Sequence, residues 1–304
     1  MRHPKCPRLV VRLVLLAPSL LLRPVAVPLP AVDAAPLLRQ MAGTRSRVNL
    51  VQVGACDGDF GEDASSNDPV QGFLLKEPKI HGLLVEANPN VCATLSSKVS
   101  GLFDGRVSAV NCAVVPGDSA EDAAFFVVSP RLAAEQPRKA FHWALYQLSS
   151  LDRAHVEKHH VHLGLSKQHF ARYVEEIRVP CKTPAQLLAE AKWPAAAVDI
   201  LALDAEGLDQ EILRAFLALP GFDPAMVFCE VCHKADVVPT LLAARGYRLA
   251  RARTEMAEEP GVPPRRGAQG MRRGMNQGEA DGVRPIPRFF FRCSGNEKWN
   301  EARS

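Results

Sequence analysis

The sequence predicts an α/β fold: a mostly parallel sheet with helices packed on both faces. Three observations carry this expectation. Apolar, β-rich runs recur through the middle of the chain at residues 47–53, 81–87, 107–115, 198–204 and 226–231. These runs are continuously apolar rather than alternating, which is what strands buried on both faces require. Amphipathic helical patterns stand between them, the order that builds a parallel sheet by crossover connections.

The chain opens on a basic stretch, "MRHPKCPR", followed by the ten-residue apolar run "LVLLAPSLLL" at 13–22 and the small residues "AVDAA". This reads as a targeting segment over residues 1–36. The run is too short for a stable membrane span and is fenced by Arg12 and Arg23. A signal peptide or short anchor for the secretory pathway is the reading; an organelle presequence is the alternative, because no acid precedes Asp33. The remainder, 37–304, reads as one domain.

Within it the first strand, "RVNLVQV", runs into the turn "GACDGDFG". "NVCATLSSKV" reads as the helix after the second strand. "TPAQLLAEAK" is a helix start, with Thr183 as N-cap, Pro184 in the first turn and Gln186 closing a capping box. In "LDQEILRAFLAL", Leu208, Ile212 and Phe216 recur every four residues beside Leu213 and Leu217, giving one apolar face. Beyond about residue 251 periodicity is lost. A basic Pro/Gly/Arg-rich insertion spans about 257–285, and "IPRFFFRC" at about 286–293 reads as a strand returning to the sheet edge near "GYRLARA" (246–252).

The net charge of +4 is unevenly distributed. Residues 1–36 carry five Lys/Arg and one acid, residues 251–304 carry eleven and seven, and the middle has a net charge of −4. The central domain therefore lacks the basic footprint of a nucleic-acid binder. The eight cysteines are scattered, mostly in apolar runs, and do not read as a disulfide framework, although a secreted destination would allow some pairing that the sequence does not name. Cys229, Cys232 and His233 spell C-x-x-C-H, but a strand points residues three apart to opposite faces, which is unsuited to holding one haem. His155 and His159 are spaced i, i+4, yet spacing fixes no third ligand; a solvated helix face is the reading, with no metal site.

The first turn carries the ligand argument. Gly54 and Gly58 let the backbone approach a ligand, but the dinucleotide fingerprint G-x-G-x-x-G lacks its middle glycine. Asp57, Asp59, Glu62 and Asp63 crowd the same turn and repel phosphate. S-adenosylmethionine carries a sulfonium, an ammonium and no phosphate, and is compatible with that crowd. Glu86, at the end of the second strand, suits the two hydroxyls of a ribose. It follows Gly54 by 32 residues, an interval lengthened by the loop "GEDASSNDPV".

Taken in order, "VQVGACDG", "DPVQGFLL", "GLLVEANPN", "VNCAVV", "YQLSSLDRAHVEKH", "VPCKTPAQLL", "VDILALDAEGLDQEIL" and "VFCEV" resemble FkbM-type methyltransferases over roughly residues 47–250. The sharpest pieces are D-x-E-G at Asp204, Glu206 and Gly207, and E-x-N-P at Glu86, Asn88 and Pro89. The resemblance implies a class I, Rossmann-like fold: a seven-stranded sheet with one antiparallel edge strand. It also implies S-adenosylmethionine as cofactor, held by Gly54, Ala55, Asp57, Gly58, Glu86, Asn111, Ala113 and Asp204. The implied reaction is methylation of a hydroxyl on a sugar, glycan or secondary metabolite. Two positions depart from the family pattern. Cys56 stands where the family usually has Asn, and Ala87 where it usually has Pro.

Methyl transfer to oxygen needs alignment, exclusion of water and a base for the hydroxyl proton. Asp204 is expected near the donor or acceptor, Glu206 as base or substrate anchor, and Glu230 as a further pocket carboxylate. Ser149 and Ser150 are expected to line the acceptor pocket, with Ser150 also a possible helix cap, and His233 to be a secondary base. The rival readings are a catalytically inactive binding module of the same fold and a nicotinamide-dependent oxidoreductase.

Overall fold

A computed structural model describes residues 31–60, 68, 70–117, 121–136, 142–230, 237–253 and 289–293. The strands, in chain order, are β1 (Ala31–Asp33), β2 (Val48–Val53), β3 (Ile80–Glu86), β4 (Val107–Asn111), β5 (Ala113–Val114), β6 (Asp122–Val128), β7 (Ser149–Ser150), β8 (Val174–Lys182), β9 (Ile200–Leu203), β10 (Met226–Glu230), β11 (Arg248–Arg253) and β12 (Phe289–Cys293). The main sheet has the order β1-β11-β12-β10-β9-β2-β3-β4, and every neighbouring pair is parallel. Eight strands thus stand where seven were expected, and the antiparallel strand is absent among them. β12 does pair with the 246–252 region, but it lies between β10 and β11 rather than at the rim.

Alternate residues of the central strands feed two cores. Val51, Val53, Leu83, Val85, Leu201 and Leu203 pack against Ile212, Leu213 and Phe216 of the helix Asp209–Leu217. That is the apolar face read from the four-residue repeat. Leu50, Leu84, Ile200 and Phe228 face the other way, onto Leu38 and Met41 of the helix Ala35–Thr44 and Leu95 and Val99 of the helix Pro89–Leu102. The capping box forms: Thr183 Oγ1 accepts from Gln186 N at 3.2 Å, and Gln186 Oε1 accepts from Thr183 N at 2.8 Å.

Residues 31–36, the end of the stretch read as a targeting segment, contain β1 and the start of the helix Ala35–Thr44. β1 pairs with β11, and Ala34, Ala35 and Leu38 are buried. Small residues suit close packing as well as they suit cleavage. Residues 1–30 and the basic insertion at about 257–285 lie outside the described residues. Among the described residues no helix is long and apolar enough to cross a membrane.

The run 107–115 is not one strand. It breaks at Cys112, and β5 leaves to join a second sheet, β5-β8-β6-β7, whose long hairpin-like pair β6/β8 is antiparallel. The break matters for function, because the second sheet lies over the carboxyl ends of the first and contributes Phe125 and Ser149 to a cleft there. Chain order reverses at β2, whose neighbours are β3 and β9. Open α/β sheets bind ligands at such a point.

Candidate active site

The cleft measures ≈ 370 Å³, within the range that holds a small organic ligand. The register sets its floor: Val53 lies level with Val85 on one side and Leu203 on the other, so the turns after β2, β3 and β9 open at the same height.

Gly54 has φ +79, and a Cβ there would lie 1.8 Å from the carbonyl oxygen of Asp204. Only glycine lets the β2 turn and the β9 end approach this closely. The turn is then tied to β3. Gly54 and Ala55 both donate to Val85 O, at 2.9 and 3.0 Å. Cys56 donates its N–H to Glu86 Oε2 at 3.0 Å, and Asn88 N donates to Glu86 Oε1 at 2.8 Å. Cys56 itself sits at φ +52, a conformation in which Asn is more at ease. Burial and the neighbouring Asp57 push its thiol far above the ordinary cysteine range, so it is no nucleophile at neutral pH.

Two residues expected to contact the cofactor, Gly58 and Asn111, lie outside the cleft lining. Gly58 (φ +83) is not in the cleft lining; its missing Cβ leaves room for the Phe60 ring, which a Cβ would meet at 2.6 Å. Asn111 is likewise absent from the lining. Its amide clamps the carbonyls of Glu86 and Ala87 at 2.9 and 3.0 Å, fixing the β3 end from behind. Gly54, Ala55, Asp57, Glu86, Ala113, Asp204, Glu206 and Ser149 do line the cleft.

The D-x-E-G loop is held from below and beside. The buried Asp209 carboxylate accepts from Ala205 N at 2.7 Å and from Gly207 N at 3.3 Å. Ser150 Oγ donates to Glu206 O at 3.0 Å and accepts from Asp152 N at 3.1 Å. Ser150 is therefore a buried tether rather than a lining residue, and the following helix is capped by Asp152, which accepts from Ala154 N at 2.9 Å. Glu206 adopts φ +47, and its Oε2 lies 2.8 Å from His155 Nε2. His155 is buried, against the expectation of a solvated face. Gly207 explains how it fits, since a Cβ there would come within 2.8 Å of His155 Nδ1. Glu230 ends β10, its side chain outside the described set, and His233 also lies outside the described residues.

Sequence reading missed Gln52, Asp68 and Gln71, all of which line the cleft. Asp68 accepts from Val70 N and Gln71 N, and Gln71 links Asp59 N to Ala55 O. The Asp-Pro dipeptide at 68–69 was the available signal, since Asp before Pro commonly starts such a side-chain-bonded turn. Nothing local marked Gln52, which reads as one more strand residue.

Six carboxylic residues line the cleft (Asp57, Asp59, Asp68, Glu86, Asp204 and Glu206), and no Lys, Arg or His does among the described residues. Gln52 is buried and donates to Asp68 at 2.7 Å, while its Oε1 has no hydrogen-bond partner. A ligand that brings donors and positive charge satisfies this surface; a pyrophosphate does not. Burial raises Glu86 to about 7, outweighing the N–H groups of Asn88 and Cys56 that stabilise its charge. Burial likewise raises Asp68.

The fold and site define a doubly wound α/β protein with an acid-lined cleft at its switch point. A family model, the methyltransferase FkbM domain, matches residues 52–249. The chain belongs to the FkbM methyltransferase family. Searches of curated proteins and of solved structures find no significant match.

Proposed function

We propose that the chain is an O-methyltransferase that uses S-adenosylmethionine and acts on a hydroxyl of a sugar, glycan or secondary metabolite. The observation that carries the cofactor is the acid-only charged lining of the cleft, with the unpartnered Gln52 oxygen among it. Glu86 would take the ribose hydroxyls, having lone pairs beyond the two N–H groups it already accepts. Gln52 Oε1 and the acids of the first turn would receive the ammonium. When bound, the cofactor supplies an electrophilic methyl group on sulfur. The chain's own work is to align the acceptor hydroxyl, exclude water and take the proton. Glu206, lining the cleft and oriented by His155, is assigned that proton, with Asp204 beside it holding the acceptor.

The test is a thermal shift of the full chain with S-adenosylmethionine, S-adenosylhomocysteine, NAD and NADP. A ligand at 100 times its Kd adds about 2.7 kcal/mol. Stabilisation by the two adenosyl compounds alone is expected. A shift only with nicotinamide nucleotides would make the protein an oxidoreductase, and binding without turnover across an acceptor panel would make it an inactive module.

Glu86 adds a pH signature. With its folded value near 7 and its unfolded value near 4.5, the folded state holds an extra proton between the two, so stability from this group falls as pH rises through that window. Ribose hydroxyls donate to the charged form, so affinity for S-adenosylhomocysteine is expected to rise with pH up to about 7 and then level off. Calorimetry across that range checks it, and Glu86→Gln should bind more weakly with the step removed.

A further inference from the structure

His155 and His159 lie one helical turn apart, on the helix Arg153–Glu157 and the 3-10 turn Lys158–Val161 that continues it. The D-x-E-G loop brings Glu206 to them from 51 residues further along the chain. One ligand atom from each of the three lies within 4.8 Å of the others. Two imidazoles and one carboxylate are the donor set of an open transition-metal site.

The set is built rather than incidental. Glu206 is fixed in the left-handed region, its carbonyl bound by Ser150, and the following Gly207 leaves the space into which His155 fits. His155 is buried and the other two are half-buried. The cluster also already neighbours a cation: the Lys158 ammonium is 3.2 Å from His155 Nδ1. An ammonium only donates, so Nδ1 is the acceptor and the imidazole proton sits on Nε2, toward Glu206.

We propose that His155, His159 and Glu206 form a binding site for a divalent transition ion of the zinc type, and that Lys158 competes with the ion for it. When Lys158 swings out on its flexible stem, the imidazole proton moves to Nδ1 and Nε2 is freed to ligate. Ligand atoms about 2.0–2.2 Å from the ion require the outermost pair to close by about an ångström, within reach of side-chain rotation. Because Glu206 also lines the cleft, an ion held there stands at its rim, where an acceptor hydroxyl can join as a further ligand and be acidified. With the ion in place Glu206 is a ligand, and the proton passes to Asp204 instead. Metal binding itself does not depend on the methyltransferase reading.

The test is a titration of the chelator-stripped full chain with Co²⁺, followed by visible absorption and calorimetry. One saturable equivalent, displaced by Zn²⁺, is expected. His155→Ala and His159→Gln should each weaken it by about tenfold or more. His159→Gln, at a half-buried position, guards against loss of fold, which melting curves check in both. Lys158→Ala should bind Co²⁺ more tightly, the mark of a competing cation that a chance histidine pair would not give. No saturable binding, binding undiminished in both histidine variants, or no tightening in Lys158→Ala would overturn the assignment.

Discussion

Gly54→Ala is expected to destabilise the protein by about 2–5 kcal/mol. Two costs add: an alanine at φ +79 costs about 1–2 kcal/mol, and forcing a methyl into packed structure costs about 1–3 kcal/mol. The second falls at the upper end here, because the methyl would meet backbone, Asp204 O at 1.8 Å and Asp204 C at 2.8 Å, and not a side chain that can turn away. β2 and β9 are hydrogen-bonded through the clash point, Asp204 N donating to Val53 O at 3.0 Å, so relief must separate central strands. Urea unfolding should show a lower midpoint with an unchanged slope. Gly101→Ala is the control. It lies in the helix Pro89–Leu102 with nothing within 4 Å of the added methyl, and should be neutral or stabilising. Equal losses from both would remove the close approach as the reason for glycine at 54.

In the metal-free protein, Glu206→Gln is expected to lower kcat by about 10²–10⁴-fold, the range for loss of a general base, while S-adenosylhomocysteine still stabilises the variant as it does the parent. The amide keeps the shape, and its oxygen can still accept from His155 Nε2, now 2.8 Å from the carboxylate. What it loses is the capacity to take a proton. Its backbone anchors, Ser150 on the carbonyl and Asp209 on the flanking N–H groups, do not involve the altered group. Turnover within about threefold of the parent would move the base elsewhere, with Asp204 the next carboxylate on the cleft.

The parts legible in the sequence were those governed by neighbours along the chain. The Thr183 capping box, the apolar face of 209–217 and the first glycine turn all have their causes within a few residues. The resemblance added Glu86 and the D-x-E-G acids, and the cleft contains them. What stayed hidden depends on partners distant in sequence. Gly58 and Gly54 look alike in the row, yet one clears Phe60 and the other clears Asp204. Asn111 reads as a strand-end ligand contact, and only the fold turns its amide back onto Glu86 and Ala87. The carboxylate that stands beside the two histidines belongs to Glu206, beyond any local window.

The position of β12 has a consequence for biosynthesis. Among the described residues, β11 is hydrogen-bonded only to β1 and β12, and β12 alone joins that pair to β10. A nascent chain therefore carries β1 from the outset, but has nowhere to complete its place until residue 293 has emerged from the ribosome. Until then β10 shows an open inner edge, and so does β11. Premature termination anywhere before Phe289 leaves both edges for good, an invitation to intermolecular strand pairing. Messages truncated late in the reading frame should yield aggregates and degradation products, not a shortened working protein.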